Sequence, residues 1–222
     1  MIMTVRGLQH IFQQLEKDHQ PTMLEQLRDH TPFQMLVATL LSARTKDASL
    51  IPIVKDLFRE FPGPRELAKI PLPVLEKKLY AVGFFRVKAK NVKLLCRIIL
   101  EKYDGTIPET FDELVLLPGV GRKTANCVLA NAFQKPAIGV DTHVHRISNR
   151  LGWVATKSPE ETELALIKII PRKLWSRTNN LLVDHGQRVC FPRNPNCQGC
   201  QISMFCEFGQ GVLEEKNNGK RR

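Results

Sequence analysis

Nine residues near the middle of the chain restrict its architecture more than any others: Leu117-Pro118-Gly119-Val120-Gly121-Arg122-Lys123-Thr124-Ala125. Pro118 fixes one backbone torsion. Gly119 and Gly121 permit positive φ and let another backbone approach closely. The turn opens directly into a stretch, Arg122 to Phe133, that reads as a helix. A tight turn in that position aims N–H groups outward at the positive end of the helix dipole, which is a binding site for phosphate. Gly119, Val120, Gly121, Arg122 and Thr124 are therefore candidate phosphate contacts. The alternative is a plain interhelical turn, for which one glycine is normally enough.

The remainder reads as all-α. Thr31-Pro32 has the form of an N-cap followed by proline at the first helical position, and Phe33 to Ala43 continue that helix. A second runs from Asp47 to Phe61 and stops at Pro62-Gly63-Pro64. Short helices are expected at Arg65–Lys69 and Pro73–Val82. A long one follows from Val87 to Tyr103, where Val92, Leu95 and Ile99 recur at helical spacing. Phe111–Leu116 leads into the glycine turn. Asp141-Thr142 opens a helix through Arg150, Ser158-Pro159-Glu160-Glu161 opens one to Ile170, and Leu174–His185 forms the last long one. Strand-like alternation is absent, and Glu214 to Arg222 has the composition of unstructured chain.

Lysine and arginine total 33 against 22 acidic residues, and the resulting charge of +11 suits a polyanionic partner. Nucleic acid and an anionic membrane both qualify; a basic surface kept for solubility is the plainer reading. No apolar run reaches the ~18–20 residues of a membrane span. Met1 to Gln20 mixes Arg6, Glu16, Lys17 and Asp18 with apolar residues and has no signal-peptide pattern. A cytoplasmic protein with reduced thiols is expected.

Cys190, Cys197, Cys200 and Cys206 are spaced C-x6-C-x2-C-x5-C. Four thiols so close in sequence converge on a metal centre more readily than they pair as disulfides in a reducing compartment. Zinc and an iron–sulfur cluster both use four cysteines. Zinc ribbons usually carry two Cys-x-x-Cys knuckles, and only Cys197–Cys200 has that form. Cys96 and Cys127 lie in apolar helical stretches and are expected to be buried thiols.

Continued by Gly139-Val140-Asp141-Thr142-His143-Val144 and Arg146, the segment from Leu117 to Ala125 resembles the helix–hairpin–helix DNA glycosylase superfamily, and within it endonuclease III. The resemblance extends from about Pro32 to Cys206, with several motifs in the family's order. It implies a bifunctional enzyme of base-excision repair, acting on duplex DNA that carries a damaged base or abasic site. Lys123 stands where the family has its nucleophile, and Asp141, about 18 residues later, where it has its aspartate. The Lys123 amine would attack the sugar C1′, displace an oxidised pyrimidine such as thymine glycol, and form a Schiff base. β-Elimination of the 3′ phosphate would follow. The local chemistry agrees: a helix N-terminus and neighbouring Arg122 disfavour a further positive charge and so favour the free amine. A carboxylate facing an oxocarbenium-like sugar is the usual solution for glycosidic cleavage. Plainer roles stand beside these, a phosphate contact for Lys123 and a helix N-cap for Asp141.

The same resemblance implies how the lesion is exposed. A base-excision enzyme extrudes the target nucleotide, and side chains fill the gap and wedge the kinked duplex. Leu40-Leu41-Ser42-Ala43-Arg44 places Arg44 where the family has a gap-filling glutamine. A guanidinium can also stack on and hydrogen-bond an orphaned base. Val82-Gly83-Phe84-Phe85-Arg86 matches the wedge loop, with Phe84 where leucine is frequent; Phe84 as a core plug is the alternative. Asp47 matches a further position near the site and could instead cap a helix. The cysteine spacing matches the family's [4Fe–4S] pattern, and Arg193 in the cluster loop would meet DNA phosphate.

By resemblance, residues 25–135 form a six-helix domain with the hairpin. Residues 1–24 and 136–213 pair as the cluster domain, and 214–222 form a flexible basic tail. DNA would lie in a cleft between the two lobes of a monomer, with Lys123 on one lobe and Asp141 on the other. Two rivals remain. A monofunctional mismatch-specific glycosylase usually lacks a lysine at position 123. A non-catalytic DNA-binding module would leave Asp141 idle.

Overall fold

The structure is a computed structural model that describes residues 5 to 219. Among these residues there are thirteen α-helices and no strand. In chain order they are α1 (Val5–Lys17), α2 (Met23–Gln26), α3 (Pro32–Ser42), α4 (Asp47–Glu60), α5 (Pro64–Lys69), α6 (Leu72–Lys78) and α7 (Phe85–Lys102). They continue with α8 (Phe111–Leu114), α9 (Arg122–Ala132), α10 (Thr142–Arg150), α11 (Pro159–Ile169), α12 (Trp175–Arg188) and α13 (Glu207–Gly219). None of the described helices is long and apolar enough to cross a membrane. The chain divides into two units, with boundaries after Thr22 and after Lys135.

The middle unit, from Met23 to Lys135, is organised around α3 and α7. Helix α3 packs against α9, and α7 against α5 and α6. Every residue from Met35 to Leu41 in α3 is buried, which makes it the central helix of this unit. Its start is the capping box that Thr31 and Gln34 announce: the Gln34 N–H donates to Thr31 Oγ1, and the Thr31 N–H to Gln34 Oε1. Two lysines of α7 close the other ends of its neighbours. Lys88 Nζ donates to carbonyls at the end of α3, and Lys93 Nζ to Leu67 O, Ala68 O and Ile70 O at the end of α5. Cations at helix C-termini satisfy orphan carbonyls and complement the dipole.

The other unit joins α1 to α10–α13. Leu8, Ile11, Phe12 and Leu15 of α1 share one core with Val144, Ile147, Trp153, Leu166, Leu181 and Leu182. The Phe12 and Trp153 rings stack with centroids 6.0 Å apart. Polar ties add to this. Glu16 pairs with Arg177 at 2.7 Å, and Arg188 donates to Asp18 O. Asp184 is buried and takes hydrogen bonds from Arg188 and the Gln20 N–H. Burial pushes its carboxyl pKa upward, but those hydrogen bonds and the Arg188 charge outweigh it and hold the carboxyl below its ordinary range. A depressed folded-state pKa contributes stability above the unfolded value, which is lost as pH falls through the folded one. Asp184→Asn is expected to cost about 2 kcal/mol at pH 7, at the low end for a buried pair because Arg188 is partly exposed. Urea titrations at pH 7 and pH 3 check this: the difference between variant and native should shrink at the lower pH.

The helix starts follow their local signals closely, while two expectations are corrected. Asp47 is not a cap: Lys46 is the N-cap of α4 and Asp47 its first residue. The segment from Glu214 does not leave the fold as loose chain, because α13 continues to Gly219. Glu214, Glu215 and Lys216 are good helix formers, and a helix begun at Glu207 propagates at little cost. The residues after Gly219 lie outside those described.

Candidate active site

The hairpin that joins α8 to α9 belongs to the middle unit. The Leu117 N–H donates to Leu114 O and the Val120 N–H to Leu117 O, which closes the turn. Gly119 has φ +77°, and a Cβ there would sit 2.7 Å from Asn91 Nδ2 and 3.1 Å from Leu40 Cδ1. The positive φ therefore requires glycine, and a side chain there would also have to displace the ends of Asn91 and Leu40. Gly121 differs: its φ is −97°, and nothing lies within 4 Å of the place a Cβ would occupy. The expectation that both glycines serve the turn's torsions is corrected to Gly119 alone. Val120 is corrected as well. Its side chain is buried and its N–H is engaged by Leu117 O, so it is part of the scaffold and not an outward donor.

Gly121 is the N-cap of α9 and brings no side-chain cap to its first turn. The following residues are Arg122, exposed, with Lys123 and Thr124 half-buried. The Arg122 guanidinium lies 4.7 Å over the Phe111 ring. That contact fixes one cation of the pair on α8 and leaves Lys123 as the next side chain of the turn.

Asp141 lies in the other unit, where it is the N-cap of α10. Its Oδ1 accepts from the His143 N–H at 2.8 Å and the Val144 N–H at 2.9 Å. Both capping bonds fall on one oxygen. The capping role expected as an alternative is thus present, and Oδ2 takes no part in it. His145 bonds Thr162 at 2.6 Å, and His143 meets the Arg146 guanidinium. These contacts suit structural histidines.

Arg44 and Phe84 come together in the middle unit. The guanidinium carbon lies 5.2 Å from the ring centroid, and both residues have left-handed backbones, φ 55° and 58°. Phe84 is 60% exposed, which removes the core-plug reading. Arg193 is exposed on the loop before Cys197.

All four cysteines of the C-terminal motif line one apolar pocket, with Arg150, His185 and Gly209 among the other lining residues. The six cysteines are free thiols, and Cys96 and Cys127 are buried as expected. Among the described residues, no three His, Cys, Asp or Glu side chains are grouped to hold a single metal ion. The sulfurs receive donors: Arg150 Nη1 lies 3.3 Å from Cys190 Sγ and the Gly209 N–H 3.3 Å from Cys206 Sγ, while His185 Nε2 is 3.7 Å from Cys200 Sγ. Arg150 is not legible as a pocket residue because it lies forty residues before Cys190, and His185, although only five residues before it, shows its place only once α12 packs beside the pocket. Lys88 is likewise not marked by the sequence, although it begins the buried stripe that continues with Val92, Leu95 and Ile99.

Residues 37–172 match the model of the HhH-GPD superfamily of base excision DNA repair proteins. Endonuclease III of Thermotoga maritima is 46% identical over 196 residues, which covers 87% of this chain and 92% of that protein. A solved non-covalent complex of endonuclease III with DNA superposes with a TM-score of 0.86 at 36% identity, covering 96% of this chain and all of that one. A trapped covalent endonuclease III–DNA intermediate, an estranged-adenine complex, does so with a TM-score of 0.81 at 37% identity, again over 96% of this chain.

Proposed function

This chain belongs to the HhH-GPD superfamily of base excision DNA repair proteins, with endonuclease III as its relatives, and from that membership we propose the chemistry its own residues perform. The protein is a DNA glycosylase and abasic-site lyase that acts on damaged duplex DNA. Its substrates are oxidised pyrimidines such as thymine glycol. The likeness to a covalently trapped endonuclease III–DNA intermediate carries the lyase reading.

In this reading the hairpin grips a phosphate of the damaged strand. Gly121 is extended and open on its side-chain face, so a second backbone can approach the first turn of α9. The extruded nucleotide meets Lys123. The amine attacks C1′, the C1′–N bond breaks, and the base departs with the bonding electrons. The aminal opens to a protonated Schiff base. Loss of a C2′ proton then expels the 3′ phosphate, leaving a nick. Asp141, through its carboxylate, stabilises positive charge on the sugar or takes a proton from the lysine. Arg44 and Phe84 fill and wedge the vacated stack, and Arg193 and Thr124 add phosphate contacts.

Cys190, Cys197, Cys200 and Cys206 hold a [4Fe–4S] cluster in this reading. The residues fit such a group: four thiols around one apolar pocket, with N–H donors aimed at the sulfurs of Cys190 and Cys206. One zinc ion would draw all four sulfurs to about 2.3 Å from a single point. A four-iron cluster holds its ligands farther apart, in keeping with thiols that ring a pocket. When bound, it staples the segment after α12. Thiols kept for a cluster suit a cytoplasmic protein that works on chromosomal DNA.

The test is borohydride reduction of the protein on a duplex with one thymine glycol, run beside abasic and undamaged duplexes. A covalent adduct and a 3′ nick on the first two are expected, with neither on the third. Base release without an adduct would make the enzyme monofunctional. Tight binding with neither would make it a binding module.

A further inference from the structure

Lys88 is an unusual residue for the face of α7 that it occupies. It is buried, and its Nζ donates to Leu41 O at 2.8 Å, to Ala43 O at 2.5 Å and to Thr45 Oγ1 at 3.3 Å. Every acceptor in this set is neutral. Burial draws the ammonium pKa down to about 8. A cation is placed here at a cost, so its position calls for a physical reason.

The three acceptors all belong to the end of α3 and the turn that presents Arg44. That turn also touches the loop before α7. The Gly83 N–H donates to Thr45 Oγ1 at 3.1 Å, and a Cβ on residue 83 would fall 2.4 Å from Arg44 O. Two loops thus meet backbone against backbone, and Lys88 spans their junction from the first turn of α7. Each loop holds a left-handed non-glycine residue, Arg44 in one and Phe84 in the other. Such conformations are strained in non-glycine residues and persist only where surrounding structure over-determines them. The two side chains are stacked on each other and exposed.

We propose that Lys88 is a positioning residue for lesion recognition: by clamping the end of α3 to the start of α7, it presents Arg44 and Phe84 to the duplex as one preset unit. This rests on the reading that Arg44 and Phe84 face DNA. Preorganisation of this kind acts on binding, because the ordering cost is met before the duplex arrives. Lys88 itself touches no substrate.

Lys93 supplies an internal control. It closes α5 through three backbone carbonyls in the same manner, with no DNA-reading candidate on the loop it holds. A cap that is merely structural should behave alike at both positions.

The experiment compares Lys88→Met and Lys93→Met on a thymine glycol duplex that carries 2-aminopurine opposite the lesion. Lys88→Met is expected to raise KM about tenfold with kcat within about twofold, and to lose most of the 2-aminopurine change on binding. Lys93→Met should lower the melting temperature comparably and leave KM and fluorescence near native. Lys88→Arg should recover only part of the KM, because a planar fork does not match three acceptors that converge on one nitrogen. Equal KM shifts in Lys88→Met and Lys93→Met, or none in Lys88→Met, would overturn the proposal. Should Lys88→Met fail to fold, Thr45→Val decides in its place: it removes the shared acceptor and must raise KM about threefold. Arg44→Ala and Phe84→Ala test the underlying reading separately. If neither alters KM or fluorescence, those residues do not face DNA, whatever Lys88 does.

Discussion

Lys123→Gln is expected to lose the borohydride-trapped adduct entirely while gaining slightly in thermal stability. The two halves of this result have one cause. Lys123 lies in the first turn of α9, where Gly121 offers no side-chain cap and Arg122 already contributes a cation. Positive charge at a helix N-terminus opposes the dipole, at about 0.3–1 kcal/mol for an exposed site and in the same range here. Glutamine removes the charge, keeps the length and is a comparable helix former. For folding alone the lysine is therefore a poor choice. The proposed nucleophilic role accounts for its presence, because an amine in this turn stands beside the backbone that would grip the phosphate of the extruded nucleotide. Strand nicking should fall by at least about 10³-fold, because the proposed nucleophile is removed. Affinity for the lesion duplex should change only a few-fold, as one phosphate-range cation among many is lost. Trapping gels, nicking rates and a melting curve on the same preparation check all three. A variant that still traps would remove Lys123 from the chemistry.

The second large effect separates two roles of one carboxylate. Asp141 caps α10 through Oδ1 alone. Asparagine retains an oxygen that can accept both N–H groups, and it is as good an N-cap as aspartate. Asp141→Asn is therefore expected to hold stability within about 0.5 kcal/mol. It loses the negative charge, and base release should fall by about 10²–10⁴-fold, the usual range for a proton-transferring or charge-stabilising group. Asp141→Ala loses both functions and should add about 1 kcal/mol of destabilisation to the same kinetic defect. Single-turnover base release and urea unfolding distinguish the cases. Full activity in the asparagine variant would reduce Asp141 to a cap.

Where physics is local, the sequence was easy to read. Thr31-Pro32, Asp141-Thr142 and Ser158-Pro159 start helices where expected, because a cap and the turn it satisfies lie within four residues of each other. Gly119 was identified for the same reason, since a left-handed torsion is a property of one residue. Gly121 is not legible in this way, because an extended glycine looks identical in sequence to a left-handed one. Val120 lies between two glycines that suggest exposure, yet tertiary packing turns it inward. Lys88 does not stand out in the sequence, because a lysine within an apolar stripe is ordinarily a snorkelling surface residue. Its acceptors lie more than forty residues earlier in the chain. The donors around the cysteine pocket were hidden likewise: Arg150 reaches Cys190 across forty residues.

The shared core of α1 with the C-terminal helices also sets a timetable for the nascent chain. Leu8, Ile11, Phe12 and Leu15 leave the ribosome early, but their partners begin only at Ile138. At about 5–20 residues per second, an apolar helix face stays wet for roughly 10 s while the middle unit is synthesised. During that interval the growing polypeptide carries an unpartnered apolar helix face, a natural client for chaperones that bind short amphipathic segments as they emerge. Relinking the segment that carries α1 behind α13 by circular permutation would let both halves of that core emerge together.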